Sequence, residues 1–157
     1  MKAQAQILVG LPPEPVFVFV AEEFLRNYPR WSPEVRRLDL LTPGPLRVGS
    51  RARQVRVDQG RRSESTFRVV ALEPPSRVGF AEVSGQFGIE YQMDALGGGA
   101  GCRTRLTFAF ELRRIELYMR PFEKRIRSAV QEGAERVVRN IKGLLERETA
   151  PTLRVRA

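Results

Sequence analysis

Between Met119 and Glu148 small or apolar residues recur every three or four positions: Phe122, Ile126, Val130, Gly133, Val137, Ile141, Leu144 and Leu145. Charged residues such as Glu123, Arg127, Glu135, Arg139 and Lys142 fall between them. This is the period of a long amphipathic helix, with Pro121 suited to its first turn and Pro151 placed past its end. Such a helix must bury one whole face against a large partner surface, and the chain before it has only one kind of surface to offer.

That surface is strands. Ala3–Leu11, Val35–Leu41, Ser50–Val57, Arg62–Leu72, Arg77–Val83, Phe87–Leu96 and Cys102–Leu112 read as seven of them, several with clear alternation. Pro12-Pro13-Glu14-Pro15 stops the first strand and opens a short apolar helix, Val16–Phe24. A second short helical or irregular piece covers Leu25–Trp31 and is closed by Pro29 and Pro33. Asp58-Gln59-Gly60-Arg61 fits a tight hairpin turn, and the run Gly97-Gly98-Gly99-Ala100-Gly101 fits another. The G-x-G spacing in that run is followed by a strand, so it lacks the helix N-terminus a phosphate-binding loop needs. Short links between consecutive strands make an antiparallel sheet, and the terminal helix is what covers its apolar face. The expected class is therefore α+β, with one domain over residues 1–150 and a short tail at 151–157.

Composition narrows the chemistry. The sequence has no histidine and one cysteine, Cys102, which rules out an internal disulfide, a His/Cys zinc site and every Ser-His or Cys-His catalytic pair. No cofactor or metal is implied. The net charge of +9 is concentrated, with ten arginines against three acidic residues between Arg26 and Arg62. A basic region of this kind reads as a solvated surface ahead of a nucleic-acid footprint, which is not favoured as a partner. Arg113, Arg114, Arg120, Lys124 and Arg125 bracket the start of the long helix, and a collar of that sort offers peripheral contact with an anionic membrane. The prolines at 12, 13 and 15 split the opening apolar stretch, so neither half makes a signal-peptide core or a span of roughly 18 apolar residues. A soluble cytoplasmic protein is the expectation, with its oligomeric state left open.

Several local motifs fall in a familiar order. Pro13-x-Pro15-Val16-Phe17, Tyr28-Pro29-x-Trp31-x-Pro33, Val48-Gly49-Ser50-Arg51, Glu73-Pro74-Pro75 and the helix end Leu144-Leu145-Glu146 together resemble the START-like, or SRPBCC, superfamily, most nearly its polyketide cyclase/dehydrase and lipid transport branch. The resemblance spans about residues 3–148. It implies the helix-grip fold: a seven-stranded antiparallel sheet curved around a C-terminal helix, with two short helices between strands 1 and 2 and an apolar ligand cavity between sheet and helix.

The expected ligand is a hydrophobic small molecule such as a lipid, isoprenoid or polyketide-like aromatic, with binding as the primary role and transport as an added one. From the strands, Phe67, Phe80, Phe87, Ile89, Tyr91, Phe108 and Phe110 are its candidate contacts. The terminal helix adds Phe122, Ile126, Val130 and Gly133, and the loop before the second strand adds Trp31. Three of these have an ordinary structural alternative: Trp31 as a plug of the core edge, Tyr91 as a buried tyrosine with a backbone partner, and Gly133, with Ala129 and Ala134, as room for a strand to approach closely. Strands 3 and 4 leave their inner face undecided. Arg51, Arg53, Val55 and Val57 share one side and Ala52, Gln54, Arg56, Ser63, Ser65, Phe67 and Val69 the other, so either choice brings an arginine to the cavity and suits an anionic group on the ligand. Non-catalytic binding is favoured over a cyclase/dehydratase in which Tyr91, Glu82 or an inward arginine moves a proton, and no catalytic residue is assigned. A basic module for RNA or anionic membrane is the remaining alternative.

Overall fold

Prolines 12, 13 and 15 end the first strand and start the first helix, as their missing N–H groups and fixed φ require. The computed structural model describes the backbone of residues 1–156 and the side chains of residues 1–149. β1 (Lys2–Val9) is followed by α1 (Pro13–Phe17), a π-helical turn (Val18–Glu22) and α2 (Phe24–Trp31). Then come β2 (Val35–Leu40), β3 (Arg51–Asp58), β4 (Arg61–Glu73), β5 (Arg77–Glu82), β6 (Phe87–Leu96) and β7 (Arg103–Leu112). A 3-10 turn, Leu117–Phe122, leads into α3 (Glu123–Arg156).

The strands form one antiparallel sheet in the order β1-β7-β6-β5-β4-β3-β2. Pairing β1 with β7 places the chain's first strand beside its last, so the sheet brings the N-terminal strand next to the segment that leads into α3. This is the expected helix-grip architecture. α3 packs its Ala134, Val138, Ile141 and Leu145 face into the core. It is tied down by Asn140 Nδ2 donating to the Trp31 carbonyl at 2.9 Å and Gln131 Nε2 to the Gln4 carbonyl at 3.0 Å. The π-helical turn is braced by buried Asn27, whose Nδ2 donates to the Phe19 carbonyl at 3.0 Å.

Three local expectations are corrected. The long helix begins at Glu123 rather than Met119, because the stretch through Pro121 is wound as a 3-10 turn. It runs on to Arg156, through Pro151 and into the segment read as a tail. Ala157, the last residue of that segment, lies outside the described residues. Pro29 sits inside α2 rather than ending it.

The β3–β4 hairpin has the expected register, Val57 opposite Arg62 and Val55 opposite Glu64, across the two-residue turn Gln59-Gly60. Both turn residues have positive φ, 52° at Gln59 and 81° at Gly60, as a type I′ turn demands. Glycine accepts this conformation freely and glutamine does not. Gln59→Asn, which tolerates the left-handed region, is expected to raise stability by about 0.5–1 kcal/mol in urea unfolding.

Candidate functional site

The concave face of the sheet is divided between two helical elements. Over β4 and β5, α2 fills it with rings: Phe24 stacks on Phe80 with centroids 4.4 Å apart and meets Phe67 edge-on at 6.0 Å. Tyr28 and Trp31 extend this cluster toward β6, where Trp31 meets Tyr91 edge-on at 5.8 Å. Over β6 and β7, α3 presents Ala129, Val130, Gly133 and Ala134, whose short side chains leave space between helix and sheet. A cavity of about 600 Å3 remains between them, open to solvent on one side.

The small residues at mid-helix are thereby explained. A Cβ built on Gly133 would meet nothing within 4 Å, so Gly133 admits no close strand and instead borders empty space. The apolar wall is made by Phe87, Ile89, Phe108 and Phe110 from the sheet and Ile126, Val130 and Val137 from α3. Phe87 and Phe110 stack at 5.9 Å and carry this wall outward.

The opposite wall is polar. The inner face of β3 and β4 is the one bearing Ala52, Gln54, Arg56, Ser63 and Ser65, and its Arg56, Gln54 and Ser65 are connected through Tyr28 of α2. Arg56 Nη1 donates to Tyr28 Oη at 3.1 Å, Tyr28 Oη to Gln54 Oε1 at 2.9 Å, and Gln54 Nε2 to Ser65 Oγ at 3.0 Å. The Arg56 guanidinium also holds Asp58 through two hydrogen bonds, at 3.1 and 3.2 Å. Burial raises the Tyr28 pKa above its ordinary value, against the pull of Arg56, so its hydroxyl remains a donor. Burial pushes Tyr91 up as well, and its oxygen accepts from Trp31 Nε1 at 3.3 Å.

Of the residues read from the sequence, Trp31, Phe87, Ile89, Tyr91, Phe108, Phe110, Ile126, Val130 and Gly133 border the cavity. Three do not. Phe67 and Phe80 face the same concave side but are covered by Phe24, and Phe122 lies in the 3-10 turn, 53% exposed, where the change of winding turns it out of the apolar stripe of α3. Trp31 is both core and cavity wall, at 1% exposure. Tyr28, Gln54, Arg56 and Ser65 are absent from the sequence-based set. Their signal was present, because a hairpin with polar alternation on its covered face marks a polar cavity wall rather than a packed core.

Glu82 is occupied elsewhere. Buried at the end of β5, it accepts hydrogen bonds from the backbone N–H and hydroxyl of Ser84 and from the N–H of Gln86 at 3.2 Å, clamping the β5–β6 turn. It does not border the cavity.

A curved antiparallel sheet closed by a C-terminal helix over a half-apolar cavity defines the class, a START-like helix-grip protein. The family model described as polyketide cyclase / dehydrase and lipid transport matches residues 1–146, and the chain belongs to that family. No curated protein matches the sequence. Among solved structures, a START superfamily protein from Mycobacterium smegmatis superposes with a TM-score of 0.71 at 16% identity, over 93% of this chain and 97% of that one. TTHA0849 from Thermus thermophilus gives 0.67 at 22% identity, over 91% and 95%, and DR_A0006 from Deinococcus radiodurans gives 0.65 at 13%, over 96% and 99%. These similarities are of fold. Family and fold together suggest a module for hydrophobic ligands.

The Glu82 clamp makes a pH prediction. Burial disfavours its carboxylate, but the bonds from Ser84 and Gln86, with Arg114 nearby, hold its pKa below the ordinary 4.5. A lowered folded value means that the stabilisation is complete above the unfolded value and is lost as pH falls through the folded one. Glu82→Gln should cost about 1 kcal/mol in urea unfolding at pH 7, and the gap to wild type should close as pH falls below 4.5.

Proposed function

We propose that this protein binds a hydrophobic small molecule, of the size and character of a lipid, isoprenoid or polyketide-like aromatic, between the sheet and α3. The observation that carries this reading is the cavity itself. Its volume of about 600 Å3 lies within the roughly 300–1,000 Å3 of small-molecule sites. Enclosing about 300 Å2 of apolar ligand surface at ~25 cal/mol per Å2 gives a gross gain of several kcal/mol before the costs of association. Contacts from Ile89, Phe108, Val130 and their neighbours supply that burial without any covalent step. Native mass spectrometry of the protein purified from its own host tests the reading directly, and a co-purified apolar compound is the expected result. The cyclase/dehydratase alternative uses the same cavity, with Tyr91 as a proton donor, and turnover of a ketone chain would distinguish it from carriage.

Gly133 gives a sharper test. Gly133→Leu projects a side chain into open space while improving helix propensity by about 0.5–1 kcal/mol. Thermal unfolding should show equal or higher stability, while affinity for N-phenyl-1-naphthylamine, read by its fluorescence, falls at least about tenfold. Unchanged probe affinity would place the binding outside this cavity.

A second reading concerns delivery. Leu117, Tyr118 and Phe122 are 75%, 67% and 53% exposed, and exposed Arg113, Arg114, Arg120, Lys124 and Arg125 lie before, between and after them in the chain. Exposed apolar residues among an excess of cations, five against the acidic Glu116 and Glu123, fit an anionic bilayer surface, where each nearby cation contributes on the order of 1 kcal/mol. Vesicles containing phosphatidylglycerol should sediment the protein at low salt and release it at high salt. Leu117→Ser with Phe122→Ser should weaken that binding several-fold, and equal binding to neutral phosphatidylcholine vesicles would count against the reading.

A further inference from the structure

If the cavity binds a ligand as proposed above, its wall also selects the ligand's charge. Five charged residues border the cavity, Glu34, Arg56, Asp58, Glu64 and Arg136, and each already has an ionic partner. Arg56 is held by Asp58 at 3.1 Å, Arg136 by Glu34 at 3.7 Å, and Glu64 by Arg62 at 3.2 Å. Arg56 spends another edge of its guanidinium on Tyr28. In a protein of net charge +9, the cavity thus presents no uncompensated cation among the described residues. An anionic ligand would give up its hydration there without a free positive charge to replace it, a strongly unfavourable exchange.

Neutral oxygen acceptors meet a different wall. Tyr91 Oη accepts from Trp31 Nε1, and Ser65 Oγ accepts from Gln54 Nε2. Neither hydroxyl has an acceptor for its own proton among the described residues, although each hydroxyl carries one donor as well as its acceptor sites. A hydroxyl that already accepts is polarised toward donating. Burial keeps Tyr91 protonated, which preserves that donor.

We propose that the cavity is specific for neutral amphiphiles: an apolar ring system or chain against the Phe87, Ile89 and Phe108 wall, with a carbonyl or hydroxyl oxygen accepting from Tyr91, and with carboxylates and phosphates rejected. The sequence alone points the other way, since any inward arginine suits an anionic group. The pairing of Arg56 with Asp58 reverses that expectation.

Three probes of one skeleton test this by calorimetry and by quenching of Trp31, the only tryptophan in the chain: methyl 2-naphthyl ketone, 2-naphthoate and 2-ethylnaphthalene. The ketone should bind at least about tenfold more tightly than the carboxylate. A carboxylate that binds as well as the ketone overturns the charge selection, with the cavity reading intact. Failure of both the ketone and the hydrocarbon to bind overturns the cavity reading and this inference with it.

Two variants separate the parts. Tyr91→Phe should weaken the ketone about threefold to tenfold while leaving the hydrocarbon unchanged; equal losses for both overturn the role of Tyr91. Asp58→Asn alters a side chain that is 49% exposed and should fold normally. By freeing Arg56 it should strengthen 2-naphthoate about threefold to tenfold, and an unchanged carboxylate affinity overturns the neutralisation argument.

Discussion

A curved sheet of seven strands has more concave surface than one helix with a small-residue centre can cover, and the rest of the molecule follows from how that shortfall is met. Phe24 meets part of it by stacking on Phe80 and closing over Phe67. Beyond that aromatic cluster, α3 offers Ala129, Gly133 and Ala134, and the space opposite stays open. Protein interiors pack to near-crystalline density, so a gap of this size flanked by fully buried residues is built by residue choice and is not a packing lapse. The buried Ala134, Val138, Ile141 and Leu145 face anchors α3 firmly enough for Ala129, Val130 and Gly133 to border a void.

The polar wall obeys a related constraint. A buried side-chain network is tolerable only when its members are satisfied, and no buried side-chain polar atom lacks a partner among the described residues. Arg56, Tyr28, Gln54 and Ser65 achieve this in series, with Asp58 neutralising the charge at one end. What remains available to a ligand is directional hydrogen bonding without net charge. The basic character of the protein lies outside the cavity, on exposed faces such as the turn before α3.

Much of the fold was legible because strand alternation and helix period are local properties. Phe87–Leu96 was read with its observed bounds, and the hairpin around Gln59-Gly60 with its observed register. The site was legible only in part. Aromatic residues on β6 and β7 and small residues on α3 follow from parity and period, but Phe67 and Phe80 share that parity and are lost to α2. Which rings a short helix covers depends on how it docks, and no spacing rule encodes that. Phe122 failed for a smaller reason, since a 3-10 turn at Pro121 shifts the stripe by which it was assigned.

The sequence by itself determined the class of fold and the family to which the chain belongs, because each rests on residue identity and short-range pattern. Tertiary structure decided whether Gly133 borders a strand or a void, which face of β3 and β4 turns inward, and whether the inward arginine carries a usable charge. Those outcomes depend on contacts between residues far apart in the chain, as when Trp31 meets Tyr91 and Arg56 meets Tyr28. The free energy of a buried charge or hydroxyl is set by the partners that folding brings to it.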